Sequence, residues 1–128
     1  MIRGAVALLV GAAFLAGRGL SEQGERPWRE QDGRDWAVFA PGEKQAYLAG
    51  FLTGAGLAQA EAVAGTQADS GRLGAVLDSL ARAGALRFAH GGSVYAARLS
   101  DFYWWKDHAS VRLYLALRQI NQGMRQAE

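Results

Sequence analysis

Small side chains recur at every fourth position through the middle of the chain, at Ala46, Gly50, Gly54, Ala58 and Ala62. Residues four apart lie on one face of an α-helix, so this spacing predicts a helix over about residues 42 to 64. The stripe formed by Ala46, Gly50, Gly54 and Ala58 would leave the backbone nearly bare. We therefore expect an intramolecular helix contact along it, with a homodimer seam as the alternative.

Helical patterns continue to the end of the chain, and no sustained alternation of apolar and polar residues predicts a strand. A second helix is expected over about residues 72–83 and a third over about 93–103. Asp107 is placed to cap a last helix over about 108–122, which Gly123 would end. The sequence predicts an all-α domain, a small bundle of about four helices.

The first residues have the layout of a secretory leader, because Arg3 precedes an uncharged apolar run from Gly4 to Gly17. As a helix this run would span roughly 21 Å, whereas the hydrocarbon core of a bilayer is roughly 30 Å thick. Gly19 or Ser21 supplies a small residue at a cleavage site. Residues 1–20 are therefore predicted to be a signal peptide or an uncleaved membrane anchor.

Charge and cysteine content limit the classes of partner. Of 14 basic and 12 acidic residues, Arg3 and Arg18 belong to the predicted leader, which leaves 12 of each sign. Because the chain after the leader is neutral, we expect no nucleic-acid partner. Residues 21–35, rich in charges of both signs, are predicted to form a polar linker, and residues 36–128 the helical domain. With no cysteine, the domain has neither disulfides nor thiolate metal ligands.

The most concentrated chemistry is an aromatic segment after the third helix. Aromatic side chains beside hydrogen-bonding groups can bind sugar rings, lie at a membrane interface or anchor a protein partner. We expect a partner-binding surface here, made of Tyr103, Trp104, Trp105 and Lys106. Adjacent residues point in different directions, so one tryptophan is expected to pack into the body and the other to face the partner.

Catalytic and metal-binding patterns are weak. The two histidines are far apart in sequence, and we expect a turn role for His90 and a surface or packing role for His108. No serine has a nucleophile-elbow context, and no glycine-rich stretch has the setting of a phosphate loop. We predict no catalytic residue, no metal and no cofactor. An alternative is a cell-wall hydrolase that uses Asp101 or Asp107.

A family resemblance rests on Trp36, Glu43-Lys44, the pattern Tyr47-x-x-Gly50-Phe51-x-x-Gly54, and Phe102-Tyr103 before a terminal amphipathic helix. Over about residues 36 to 120 this pattern resembles a group of small exported bacterial proteins, mostly uncharacterised. The resemblance implies an exported helical fold and no particular activity. A fainter resemblance, in the Tyr-x-x-Gly helix, is to periplasmic immunity proteins that block cell-wall amidases.

These features together favour a non-enzymatic binding or accessory protein in the periplasm or at the outer face of the inner membrane. We expect a protein partner, possible membrane association through residues 1–20, and a homodimer as a possible state. The alternatives are a membrane-anchored small subunit of a larger complex and the hydrolase.

Overall fold

The described part of the chain, residues 26–128 of a computed structural model, is built from α-helices. Their bounds are α1 Gly33–Val38, α2 Pro41–Ala64, α3 Ser70–Arg82, α4 Gly92–Tyr103 and α5 Leu113–Ala127, with a 3-10 helix at Lys106–His108. The only extended pairing within these residues is an isolated bridge between Asp32 and Arg112. The all-α prediction is confirmed. The predicted leader, residues 1–20, lies outside the described residues.

α1 lies where the sequence predicted the end of a polar linker. The side chain of Asp32 accepts from the backbone N–H of Arg34 at 2.9 Å, and the side chain of Asp35 accepts from the backbone N–H of Asp32 at 2.9 Å. This reciprocal capping stabilises a helix start. Trp36 then anchors the helix, being only 2% exposed. α1 therefore belongs to the compact unit of residues 31–128, and the predicted boundaries of leader, linker and helical domain stay a prediction.

α2 is the longest described helix, and its start follows the predicted pattern of Pro41 in the first turn. The carboxylate of Glu43 accepts from the backbone N–H of Ala40 at 3.0 Å. Gly65, with a positive φ of 93°, follows its last residue. Among the helices of residues 26–128, none is both long enough and apolar enough to cross a bilayer.

The core is formed where α1, α2, α4 and α5 meet. Its buried residues are Trp36, Leu48, Tyr95, Leu99, Leu113, Ala116 and Leu117. Partly buried rings of Phe39, Phe51, Phe88 and Phe102 pack around this cluster. Such burial of aliphatic and aromatic surface is the main stabilising contribution in a domain without cross-links.

Within residues 26–128, the small-residue stripe of α2 does not form the expected intramolecular contact. Ala46, Gly50, Gly54 and Ala58 are all exposed, and a Cβ placed on Gly50 or Gly54 would meet no described atom within 4 Å. The close approach occurs instead at Gly56, where a Cβ would lie 3.0 Å from Cδ1 of Leu77 on α3. Among the described residues, α2 therefore turns Gly56, and not Gly50 or Gly54, toward α3, and the prediction that the stripe packs against a neighbouring described helix was wrong. The homodimer seam stays a prediction.

The last helix also differs from its prediction. Asp107 lies in the 3-10 helix, and α5 begins at Leu113, whose backbone N–H donates to the carbonyl of Gln31 at 2.9 Å. This long-range bond satisfies one of the first backbone donors of α5, a helix start at which the capping residue Arg112 makes no side-chain hydrogen bond. Gly123 does not end the helix, which continues to Ala127.

Candidate partner-binding site

Trp104 and Trp105 both project from the turn that follows α4. Trp104 is 82% exposed and Trp105 is 63% exposed, so the prediction that one of them packs into the body was wrong. The backbone explains this result. Trp104 keeps a helical conformation, whereas Trp105 is extended with φ −80° and ψ 120°. The chain thus leaves the helix between the two residues, and neither ring is carried back onto the core.

The turn is held by contacts from residues on either side of the tryptophans. Nδ1 of His108 lies 2.7 Å from the carbonyl oxygen of Phe102, and the His108 ring stacks on the Phe102 ring at a centroid distance of 4.3 Å. The backbone N–H of His108 also donates to the carbonyl of Trp105 at 3.0 Å. Of the surface and packing roles predicted for His108, these contacts support the packing role. The contacts of His108 hold the backbone of the turn in place, while the side chains of Trp104 and Trp105 stay exposed.

Tyr103 supports the turn from the inside. Its hydroxyl donates to the carbonyl of Val111 at 2.6 Å, and a Cβ on Gly33 would lie 2.7 Å from its Cε1 atom. Burial raises the pKa of Tyr103, with the negative charge of Asp32 as a smaller cause. The ring therefore packs against the start of α1. It positions the turn, which corrects its assignment to the partner-facing surface.

Each exposed tryptophan borders a hollow in the surface. Trp105 lies at the edge of a groove of about 410 Å³, whose apolar wall includes Phe102, Ile120 and Met124. Trp104 borders a smaller hollow of about 210 Å³ that also touches Trp36 and Lys44. There the Lys44 ammonium lies 5.1 Å from the centre of the Trp36 ring, a cation–π distance.

The charged residues near the turn face solvent. Asp101, Lys106 and Asp107 are all exposed, and Asp101 lies in the wall of the Trp105 groove. Within residues 26–128, no three His, Cys, Asp or Glu side chains are grouped closely enough to hold a metal ion. His90 lies elsewhere, with Nε2 3.6 Å from a carboxylate oxygen of Glu128. The arrangement around Trp104 and Trp105 is thus suited to contact through aromatic surface.

The sequence located the two tryptophans but not their surroundings. Trp36, Lys44 and Met124 come from three other helices, and no local spacing connects them to residue 104 or 105.

Comparison with known proteins gives no relative. No family model matches the chain, and neither the curated proteins nor the solved structures include a significant match. The resemblance to small exported bacterial proteins therefore stays a prediction.

Proposed function

We propose that the protein is an exported, non-enzymatic binding or accessory protein that acts in the periplasm or at the outer face of the inner membrane. It contacts a protein partner through an aromatic edge, which is formed by Trp104, Trp105 and Lys106. The observation that carries the proposal is the exposure of two adjacent tryptophans, 82% and 63%, on an internally fixed turn.

Tryptophan is the side chain whose burial contributes most to an interface. A tryptophan can bury about 150–250 Å², which at about 25 cal/mol per Å² corresponds to roughly 4–6 kcal/mol before the entropic costs of association. Hot spots of binding are accordingly enriched in Trp. Two exposed neighbours with apolar hollows beside them offer a partner both a protruding anchor and a recess.

The fixed backbone lowers the cost of binding. Tyr103 and His108 each form a side-chain hydrogen bond to a carbonyl across the turn, at 2.6 and 2.7 Å. A partner therefore has only side-chain rotamers to order when it covers Trp104 and Trp105. This kind of preorganisation increases affinity for a given contact area. Lys106 adds a positive charge at the rim, where it influences association rate and choice of partner.

The exposure of Asp101 and Asp107 supports binding over the hydrolase alternative. A glycosidase needs one carboxylic acid in surroundings that keep it protonated, typically an apolar pocket. Asp101 borders the apolar Trp105 groove, but its side chain and that of Asp107 are exposed to water, which favours the charged carboxylate. Release of fragments from purified peptidoglycan, lost in Asp101→Asn or Asp107→Asn, would overturn the binding proposal.

The membrane-anchored alternative shares the same aromatic edge and differs only in the fate of residues 1–20. Intact-mass measurement on protein from the native cell separates the two. Loss of the first 19 to 21 residues supports a free exported protein, as the leader layout suggests. A mass that includes them supports an anchored subunit.

The binding proposal is tested by photo-crosslinking in the native cell. A photoreactive phenylalanine derivative replaces Trp104 or Trp105 in one set of strains. The matched control replaces Val63 on α2, which is 62% exposed and lies outside the aromatic edge. We expect one discrete protein adduct from both tryptophan positions and none from Val63.

Adducts of equal intensity from Val63 would mean random collision and would contradict the proposal. Adducts with lipid and none with protein would assign the edge to a membrane surface instead. Absence of any adduct at both tryptophan positions, with the protein expressed and folded, would remove the proposed role of this edge.

A further inference from the structure

A second groove, separate from the aromatic edge, collects three arginines. Arg118 and Arg125 are seven residues apart on α5 and therefore lie on one face of it, and Arg87 approaches from the segment between α3 and α4. These side chains line a groove of about 450 Å³, together with Phe51 and Phe88. Its size is within the range of small-molecule sites.

The groove has an excess of positive charge. None of the described residues that line it is acidic. The ion pairs found among residues 26–128 involve Arg34 with Asp32 and His90 with Glu128, and none of the three groove arginines. Arginines that lack an internal carboxylate are available for an external one, and a guanidinium binds carboxylate or phosphate through two parallel hydrogen bonds.

The position of Arg87 is fixed through its backbone. Its N–H donates to Oε1 of Gln59 at 2.8 Å, and its carbonyl accepts from Nδ2 of Asn121 at 2.8 Å. Asn121 is only 3% exposed, and its Oδ1 accepts from the Tyr95 hydroxyl at 2.7 Å. A buried amide satisfied at both ends is costly to disturb. This network therefore holds the Arg87 segment against α5 and keeps that wall of the groove in place.

An apolar wall accompanies the charges. The rings of Phe51 and Phe88 meet edge to face at a centroid distance of 5.0 Å, and both line the groove. Inorganic anions gain nothing from aromatic surface. A ligand with a flat apolar body and an anionic head would contact both the rings and the guanidinium groups.

We propose that this groove binds a small organic anion that carries a carboxylate or a phosphate on an aromatic or apolar body. Arg87, Arg118 and Arg125 hold the anionic head, and Phe51 and Phe88 contact the body. The site is independent of the aromatic edge, so the two proposals succeed or fail separately.

Calorimetric titration of the folded protein with benzoate and with phenyl phosphate tests this proposal, and the two probes distinguish the carboxylate from the phosphate head. We expect saturable binding of at least one of them with one molecule per chain. Inorganic phosphate lacks the apolar body, and benzyl alcohol lacks the charge. Each should bind at least about tenfold more weakly than the better of the two probes.

Arg118→Gln and Arg125→Gln should each weaken the better probe by about tenfold, since a charge-assisted hydrogen bond is lost. Arg72→Gln is the matched control, because this substitution removes the same charge. Arg72 is exposed on α3 and does not line the groove. It should leave affinity within about twofold. Thermal melts of all three variants verify that the fold is intact.

Four results would overturn the proposal. These are no saturable binding of either probe at millimolar concentration, equal affinity for inorganic phosphate, equal affinity for benzyl alcohol, and an equal loss of affinity in Arg72→Gln. The second would reduce the groove to a general anion site, and the last would show that only net charge matters.

Discussion

Gly33 is the position at which one methyl group should most clearly disturb both the fold and the aromatic edge. In Gly33→Ala the new Cβ would lie 2.7 Å from Cε1 and 2.9 Å from Cγ of Tyr103. Carbon atoms pack best at about 3.5–4.0 Å. The ring is not free to move aside, because its hydroxyl donates to the carbonyl of Val111 at 2.6 Å.

The opposing effects of this substitution can be compared. Overpacking of a filled site costs about 1–3 kcal/mol, and disturbing the Tyr103 hydrogen bond adds about 1 kcal/mol. Replacing glycine by alanine inside a helix gains at most about 1 kcal/mol. We therefore expect the free energy of unfolding to fall by about 1–3 kcal/mol, which for a domain of this size lowers Tm by several degrees per kcal/mol.

Urea unfolding followed by far-ultraviolet circular dichroism measures this loss. The control is Gly74→Ala, in the interior of α3, where a Cβ meets no described atom within 4 Å. That variant should be unchanged or stabilised by up to about 1 kcal/mol. If Gly33→Ala is as stable as the parent while Gly74→Ala behaves as expected, Tyr103 does not pack against α1 as described.

Three further predictions concern α2 and the turn. Gly50→Ala and Gly54→Ala should each stabilise the protein by about 0.5–1 kcal/mol in urea unfolding, because both are exposed helical glycines; destabilisation would show that the stripe contacts another surface. Burial, and secondarily Tyr114, raises the pKa of Tyr47 from 10.0 to about 12. The stability that the protonated, buried Tyr47 contributes should be complete below pH 10 and lost as the pH rises toward 12. Tyr47→Phe should therefore lessen the fall of the urea midpoint between pH 9 and pH 12. An unchanged fall would contradict the raised pKa of Tyr47. Acrylamide should quench Trp104 and Trp105 to similar extents in variants that retain only one of them, and strong shielding of either would refute its exposure.

The elements that the sequence predicted well are those with local signals. The bounds of α2 and α4 were predicted within one or two residues, because Pro41, Gly65 and the glycines before Ser93 act on their neighbours alone. The start of α5 was missed, since it depends on pairing with Gln31, far away along the chain. α1 was missed because a six-residue helix gains its stability from the burial of Trp36 rather than from its own composition.

The orientation of α2 shows a second limit. Apolar residues are distributed around this helix, so composition does not mark which side is buried. The regular spacing through Gly50 and Gly54 predicted a packed face there, whereas the buried residues of α2 are Leu48, Gly56 and Ala60. The packed face is determined by the position of Leu77 on α3, and the residue spacing within α2 gives no information about that position. For the site, the sequence identified the exposed tryptophans but assigned Tyr103 to the partner-facing side, because its bond to Val111 is invisible in sequence.

Whether Trp104 and Trp105 form the partner-binding edge can be decided from the size of the native complex. Protein extracted under mild conditions from the native cell is separated by size, for the parent, for Trp104→Ala/Trp105→Ala and for the control Val38→Ala/Val63→Ala. All four residues are more than 60% exposed, so every variant should melt near the parent temperature. We expect the parent and the valine variant to elute as a complex larger than the single chain, and the tryptophan variant to elute as the free chain. A complex that survives loss of both tryptophans would show that they do not form the partner-binding edge.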